Sequence, residues 1–518
     1  GLPWYRGCRL YHLSVGADGG WRSSGSGKLP IHAVDVARPI VDAGRGSPTG
    51  VVVYRHRQFP HRYRDGVFIA DWTFGRVLFV SLKKGEATYD GRLEDFLQSS
   101  PKTPFAPCDL EVAPDGSLLV ASGGRGLAGA VYRVTFERRV AAGHQRSPLD
   151  RVLRAPSPLD AWSRARWAPV VKTIPTERFL DAIRDSTRPI DERVRALDVL
   201  FEQRPDAARD VLRVLCERRV NAPPRLRARA AWWSGRTGNL SAVRVYLKDP
   251  DAWVLRVAIE GCVPFLDGDT RRELSRELFR HANHPARRVR QSLAAVLAHV
   301  PRAELPAASH RREVLVRGLS SVLQAPWGQL PVAALEDAER ALDLALRDAL
   351  SISPAAKEDT LDALRLLELV FERLQQKRNP RAVFYEDWDA IALDPWRERI
   401  ETLAPLVVAA AHGSDRTLRR YATRILALLA VESEAAADTV LAQIDLSSSP
   451  GEDILILSYL GRLPPQSLAD RLDRLADALL ALSWKFRAGR DGRDRRWHRF
   501  VATVAGRLFE RQPGLSRQ

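Results

Sequence analysis

The residues able to do chemistry are few and far apart. Cys8, Cys108, Cys216 and Cys262 form no CxxC pair for zinc or thiol exchange and no CxxCH for covalent haem attachment. They are expected to be buried small hydrophobes. His281-Ala-Asn-His284 has a spacing that a metal could use, but both lie at a turn between helices with no third ligand in register, so no metal is expected. The Gly123-Gly-Arg-Gly126 loop opens onto a strand and lacks the helix N-terminus that would cradle a phosphate, so it reads as a turn. No GxGxxG opens a helix, since Gly124-Arg-Gly-Leu-Ala-Gly129 runs into that same strand, and there is no P-loop and no GxSxG elbow.

What does recur is arginine. Four phrases share an acidic or proline-containing turn, an apolar residue, an Arg and a small or apolar run, centred on Arg195, Arg227, Arg256 and Arg290, with a looser copy at Arg419. The spacing of the first four, about 29 to 34 residues, is the period of stacked helix pairs that cannot bury their apolar faces alone. An Arg just past the turn can bond across to an Asp or carbonyl of the next repeat, and a ligand-binding role is the alternative.

The elements that must position these groups fall into two halves. From residue 49 to 136 short period-two runs (residues 49–54, 67–71, 76–82, 117–122 and 129–135) alternate with Asp-Gly, Phe-Gly and Gly-Gly turn signals, the pattern of antiparallel strands. Pro114-Asp-Gly116 reads as the tight turn between two of them. The regular spacing suits propeller blades or a sandwich, and only about two blades' worth of strands is present where a ring needs at least four. Past Glu137 the strand signal stops. A Pro- and Arg-rich linker is expected over 138–175, then amphipathic helices over 176–374, an aromatic insertion over 375–399 (Phe384, Tyr385, Trp388, Trp396) and further helices over 400–518.

The 518 residues carry 80 Lys plus Arg against 63 Asp plus Glu, and the excess is local: residues 1–137 stand at +4, 138–300 at +13 and 301–518 at zero. A cationic helical face over 138–300 could meet nucleic acid phosphates or an acidic protein. Acidic residues are interleaved nearly everywhere, which favours the protein. The longest apolar runs are far short of the roughly 20 residues that a membrane span needs. With neither a Met nor a basic-then-apolar leader, the chain is expected to be a segment of a longer one.

Residues 11–30, 44–82, 104–124 and 132–136, then Pro158–Trp167, Glu192–Leu200, Ala228–Gly238 and Asp494–Arg499, resemble the PVC-type haem-binding CxxCH proteins, a membrane-bound dehydrogenase family, over nearly the whole chain. The resemblance implies a multidomain β + α protein: C-terminal blades of a β-propeller over 1–137 followed by a HEAT-like α-solenoid, with a c-type haem domain downstream. It implies a periplasmic or extracellular setting. That family's propeller is similar to sorbosone and soluble glucose dehydrogenases, which oxidise sugars with pyrroloquinoline quinone. The parent protein is therefore expected to use haem c and that quinone, and to take a carbohydrate or polyol substrate.

The residues that would line the implied channel are Arg22, Asp71, Arg76 and Asp109. Where those enzymes place a quinone-binding Lys and two Arg, this chain has Thr73, Ala106 and Cys108, so this segment itself is expected to hold no cofactor. Three functions stand open: a substrate-oxidising or carbohydrate-binding module scaffolded toward a cytochrome domain, a non-enzymatic glycan- or protein-binding scaffold, and nucleic-acid binding by the basic helices.

Overall fold

The computed structural model describes residues 8–17, 36–44, 46–100, 105–124, 126–137, 147–205, 222–307, 397–430, 432–445, 450–488 and 495–517, with a few isolated positions besides. They form two compact units, one from Gly7–Gly16 and Pro39–Val300, the other from Gly1–Arg6, Ala17–Arg38 and Pro301–Gln518.

The first unit opens with three antiparallel sheets in layers. The middle sheet has strand order β5-β6-β7-β8, comprising β5 (Pro48–Val53), β6 (Val67–Asp71), β7 (Arg76–Lys84) and β8 (Tyr89–Gln98). Every residue of β6 is buried, because its two faces serve two cores. Phe68 and Ala70, with Val77 and Phe79 of β7, face an aromatic core completed by Tyr54, Phe59 and Tyr63. Val67 and Ile69, with Leu78 and Val80, face a second core with Ala43.

A three-stranded sheet, β9 (Pro107–Val112), β10 (Leu118–Gly124) and β11 (Leu127–Val134), closes the aromatic core with Leu110, Val112, Leu118 and Val120. The two-stranded sheet of β1 (Cys8–Leu10) and β4 (Val41–Gly44) lies against the second core. Tyr54 fixes the aromatic core from inside. Its hydroxyl donates to the Gly116 carbonyl at 2.7 Å and accepts from the Phe59 amide at 3.1 Å. Burial pushes that phenol up to about 12.

The expectation of propeller blades is overturned. Sheets of two, four and three strands stack on one another and close neither a ring nor a barrel. A remaining two-stranded sheet, β2 (Trp21–Arg22) with β3 (Gly27–Lys28), belongs to the other unit. Period-two patterning dictates antiparallel pairing, whereas the arrangement of whole sheets depends on which side chains meet between layers, and that is not periodic.

The Pro114-Asp-Gly116 turn does join β9 to β10. Asp115 accepts from the Ser117 amide and hydroxyl at 3.0 and 2.7 Å, bonds that hold its carboxyl down to about 2, and Gly116 takes the left-handed φ of 89°.

Helices follow: α1 (Pro148–Leu153), α2 (Ala161–Val171), α3 (Thr176–Arg184), α4 (Ile190–Gln203), α5 (Pro224–Arg236), α6 (Leu240–Tyr246), α7 (Ala252–Glu260), α8 (Arg271–Phe279) and α9 (Arg287–Leu297). Ser147, Asn239 and Asp251 cap α1, α6 and α7 with side-chain oxygens. α4, α5, α7 and α9 pack each on the next. The α5–α7 crossing needs glycine: a Cβ on Gly235 would stand 2.6 Å from the Gly261 Cα.

The recurrent arginines, taken with their neighbours Arg193 and Arg229, fall into two groups. Arg227 and Arg290, with Arg193, bond the carbonyls of Ala222, of His284 and Pro285, and of Ile183, clamping the turns. Arg195, Arg229 and Arg256 run along the stacked helices, Arg229 to Asp198 and Arg256 to Glu260.

In the second unit α10 (Arg397–His412), α11 (Arg416–Leu429), α12 (Glu434–Leu441), α13 (Pro450–Leu460), α14 (Leu472–Ala488) and α15 (Arg495–Arg511) pack as neighbours, with Asp453 fully buried against Lys485 at 2.7 Å. The aromatic cluster Phe384, Tyr385, Trp388 and Trp396 lies outside the described residues. Among the described residues no helix is long and apolar enough to cross a membrane.

Arg227 also grips Asp249 with Nε and Nη2 at 2.7 and 3.0 Å, and Asp249 is almost wholly buried. Arg227→Met strands that carboxylate and is expected to cost about 3–5 kcal/mol in urea unfolding. The double variant R227M/D249L should recover at least half of the loss. A cost that the second substitution leaves unchanged would show the pair to be incidental.

Candidate functional site

The sequence-nominated carboxylate Asp71 ends β6 and pairs across the turn with Arg76, which begins β7. The hairpin is the six-residue stretch Asp71-Trp-Thr-Phe-Gly75-Arg76, with Gly75 at φ 59°, and a Cβ there would strike the Phe105 carbonyl at 2.3 Å. Asp71 is 2% exposed. Its Oδ1 accepts from the Ser47 amide at 2.9 Å and its Oδ2 from Arg76 Nε at 2.9 Å. Arg76 reaches a second carboxylate, Asp95 of β8, at 3.7 Å. Thr73 donates to the Ser47 hydroxyl at 2.7 Å, and the Trp72 indole N–H donates to the Gly123 carbonyl at 3.0 Å, tying the turn to the neighbouring sheet.

Asp109 lies on β9, exposed at its side chain, where Oδ1 accepts from the Leu110 amide at 2.9 Å. It stands against Gly50 of β5, so close that a Cβ on that glycine would be 2.7 Å from Oδ1. Gly50 is two residues along β5 from Pro48, which pairs with Asp71. The structure thus brings Asp71, Arg76 and Asp109 to adjoining strands. Arg22 lies on β2 in the other unit, and its side chain is outside the described residues.

The chemistry follows from the bonding. Buried, and with each of its oxygens accepting a bond from inside the protein, the Asp71 carboxylate is an anchor for the turn. The second oxygen of Asp109 accepts no bond among the described residues, and Phe74 at the tip of the turn is 47% exposed with the Arg76 guanidinium over its ring. An open carboxylate oxygen suits a hydroxyl donor, and an exposed ring suits the apolar face of a small ligand.

The quinone that the sequence resemblance implies does not fit these residues. Thr73 spends its hydroxyl on Ser47, Ala106 is buried, and the Cys108 thiol points to the Ala121 carbonyl at 3.4 Å; none supplies a cation for the quinone's acid groups. Nor does any described residue offer the CxxCH thiols that hold a c-type haem.

Cys262 is buried with its thiol pushed up to about 12 by desolvation, whereas Cys108 is exposed against expectation and Cys8 half-buried; Cys216 lies outside the described residues. His284 accepts the Ala286 amide at 3.0 Å, and among the described residues no three His, Cys, Asp or Glu side chains converge as a metal would require. Gly124 and Gly126, at φ 92° and 74°, turn β10 into β11.

One residue that sequence reasoning missed joins the sheets to the helices. His12 stacks on Trp253 of α7 with ring centroids 5.5 Å apart, meets the edge of Tyr89 at 5.1 Å, and its Nδ1 bonds the Thr88 hydroxyl at 3.0 Å. Arg288 of α9 donates to its carbonyl at 2.5 Å. Beside it Lys84 reaches Asp251 at 2.8 Å, and a Cβ on Gly16 would overlap Ala295 of α9. Burial first, then the charges of Arg256 and Arg288, push the His12 imidazole down to about 4. No local signal marks His12, because its partners are more than 70 residues away in sequence.

No family model matches the chain, and no curated protein matches it. Among solved structures it is similar to the crystal structure of an engineered protein from the Northeast Structural Genomics Consortium, at 12% identity and a TM-score of 0.33, over 71% of this chain and 99% of that one. At that score the likeness bears on neither fold nor function.

Two outcomes are expected here. Asp71→Ala leaves Arg76 and the Ser47 amide without their shared acceptor and should lower stability by about 2–3 kcal/mol, while Asp71→Asn, which can still accept from Ser47, should lose about half of that; equal losses would refute the division of labour. For His12, the unfolded ring takes up a proton near pH 6.5 and the folded ring near pH 4. Its contribution is therefore complete above pH 6.5 and declines as the pH falls toward 4. Melting curves across that window should fall by several degrees more for the parent chain than for His12→Gln, and parallel curves would exclude the effect.

Proposed function

We propose that the sheet module recognises a carbohydrate or polyol without itself breaking bonds, and that the stacked helices are its scaffold within a secreted, sugar-dehydrogenase-like haem protein of the kind the sequence resembles. The observation that carries this is the state of Asp71: the best-placed carboxylate is consumed by Arg76 and Ser47, while the groups left facing outward, Asp109 and Phe74, are of the kinds that hold hydroxyls and ring faces. On this reading any oxidation of the substrate, and the passage of its electrons to haem, takes place elsewhere in the parent protein, and the junction at His12 keeps the recognition module at a fixed distance from the helices. Those basic residues of 138–300 that the fold does not take up as clamps are offered to a haem domain or to another acidic protein.

Nucleic-acid binding gains no support from the helices. Arg193, Arg227, Arg229, Arg256 and Arg290 all point their charge into carbonyls or carboxylates of the fold, which withdraws them from any phosphate-facing surface.

Isothermal titration of the chain with a panel of hexoses, pentoses and polyols should give saturable binding that Asp109→Ala weakens about tenfold, the cost of a lost charged hydrogen bond. The same mixtures, with pyrroloquinoline quinone added, should reduce no dye. Dye reduction would replace recognition with oxidation, and the absence of binding to every sugar would remove the carbohydrate reading altogether.

A further inference from the structure

Arg195 is the recurrent arginine that the fold leaves unfinished. It lies on α4 at 7% exposure, with its guanidinium carbon 4.1 Å from the centroid of the Trp167 ring on α2. Nε and Nη2 are sealed from solvent and neither has a hydrogen-bond partner. Its counterparts each hold an acceptor: Arg227 has Asp249, Arg290 two carbonyls, and Arg256 has Glu260, although the Arg256 Nε is likewise sealed and unbonded. A planar cation with unmet donors is costly in the interior of a helical stack, and stacking on one indole replaces none of the lost hydrogen bonds.

The surroundings show what charge would complete it. Arg164 of α2 pairs with Glu202 at 3.0 Å, and Arg229 of α5 pairs with Asp198. Those four side chains cancel one another, which leaves the positive charge of Arg195 over. Of its three nitrogens, only Nη1 is not sealed. Arg164 shares the Trp167 ring with Arg195, and the Arg164 and Arg229 side chains are 44% and 34% exposed.

We propose that the face shared by α2, α4 and α5 is a carboxylate-binding site centred on Arg195. The carboxylate meets Nη1 first and spans Nη1 and Nη2 once the Arg164 side chain moves aside, the planar two-on-two match that guanidinium makes with this group and not with a spherical anion. The site stands whether or not the sheet module binds sugar. The carboxylate can belong to a small acid or to an acidic side chain of a protein.

The test uses the full chain and two probes. Acetate, against chloride and phosphate at matched ionic strength, is followed by thermal shift. A blocked peptide with a single Glu, against its Gln analogue, is followed by titration calorimetry. A saturable response to acetate identifies a free small carboxylate as sufficient, and a response to the Glu peptide alone identifies a protein as its source; both uphold the site. Arg195→Gln should abolish the response with the helical circular dichroism unchanged. Arg195→Lys, which keeps the charge without the fork, serves if that variant does not fold and should weaken binding about tenfold. Glu202→Gln removes a negative charge from the rim and should tighten binding about threefold, a gain that a purely structural Arg195 would not produce. A response equal in chloride, stronger in phosphate or retained in Arg195→Gln overturns the proposal, as does no saturable response to either probe.

Discussion

The burial of β6 on both faces is the constraint from which the rest of the first unit follows. A five-residue strand with no solvent-facing side chain must be covered twice, and Val67-Phe-Ile-Ala-Asp71 is covered by the β9–β11 sheet on one side and by the β1–β4 pair on the other. A single sheet with one wet face would have left Val67 and Ile69, or Phe68 and Ala70, in water. The layered arrangement also explains the placing of the polar groups. Asp71 stands at the end of the most buried strand, where a carboxylate is tolerated only with both oxygens satisfied, and Ser47 and Arg76 are the donors that make it so.

Much of the local structure was legible in the sequence, and little of its assembly was. Strands, the Pro114-Asp-Gly116 turn and the glycine turn at 123–126 are set by rules that act over a few residues. The ring of blades was not there, since two strands with the same alternation can belong to any sheet. Asp71 and Arg76 were nominated and lie together, five residues apart across a turn. Asp109 joins the adjoining strands through Gly50, whose lack of a side chain was its one signal. Arg22 and the quinone positions came from resemblance alone, and resemblance does not fix the contacts of single side chains. His12 had no signal at all.

Charge in the helices carries a related lesson. Residues 138–300 hold a net +13, yet several of the arginines that make up this excess are turned inward as clamps, so a segmental sum overstates the field that the surface presents. Arginine is suited to this use. Its planar fork reaches two carbonyls or one carboxylate while its stem packs against the neighbouring helix, which lysine cannot do. The period of about 30 residues therefore records the geometry of helix stacking rather than a row of ligand contacts, and Arg195 stands apart from that row by what it fails to bond.

The strap from Cys8 to Gly16 has a consequence for the order in which the molecule can be made. Arg288 is 276 residues from the His12 carbonyl it holds, and Gly16 is seated on Ala295. A ribosome releases the strap 276 residues before the helix residue that receives it. Throughout that interval the strap has half of its partners, Thr88 and Tyr89, and lacks the other half. Closure of so long a loop comes late and slowly compared with the hairpins and helix pairs on either side. The sheets and the first helices are thus expected to exist as an incomplete intermediate until α9 emerges, with the aromatic rings of Tyr89 and Trp253 as the surface that a chaperone would meet.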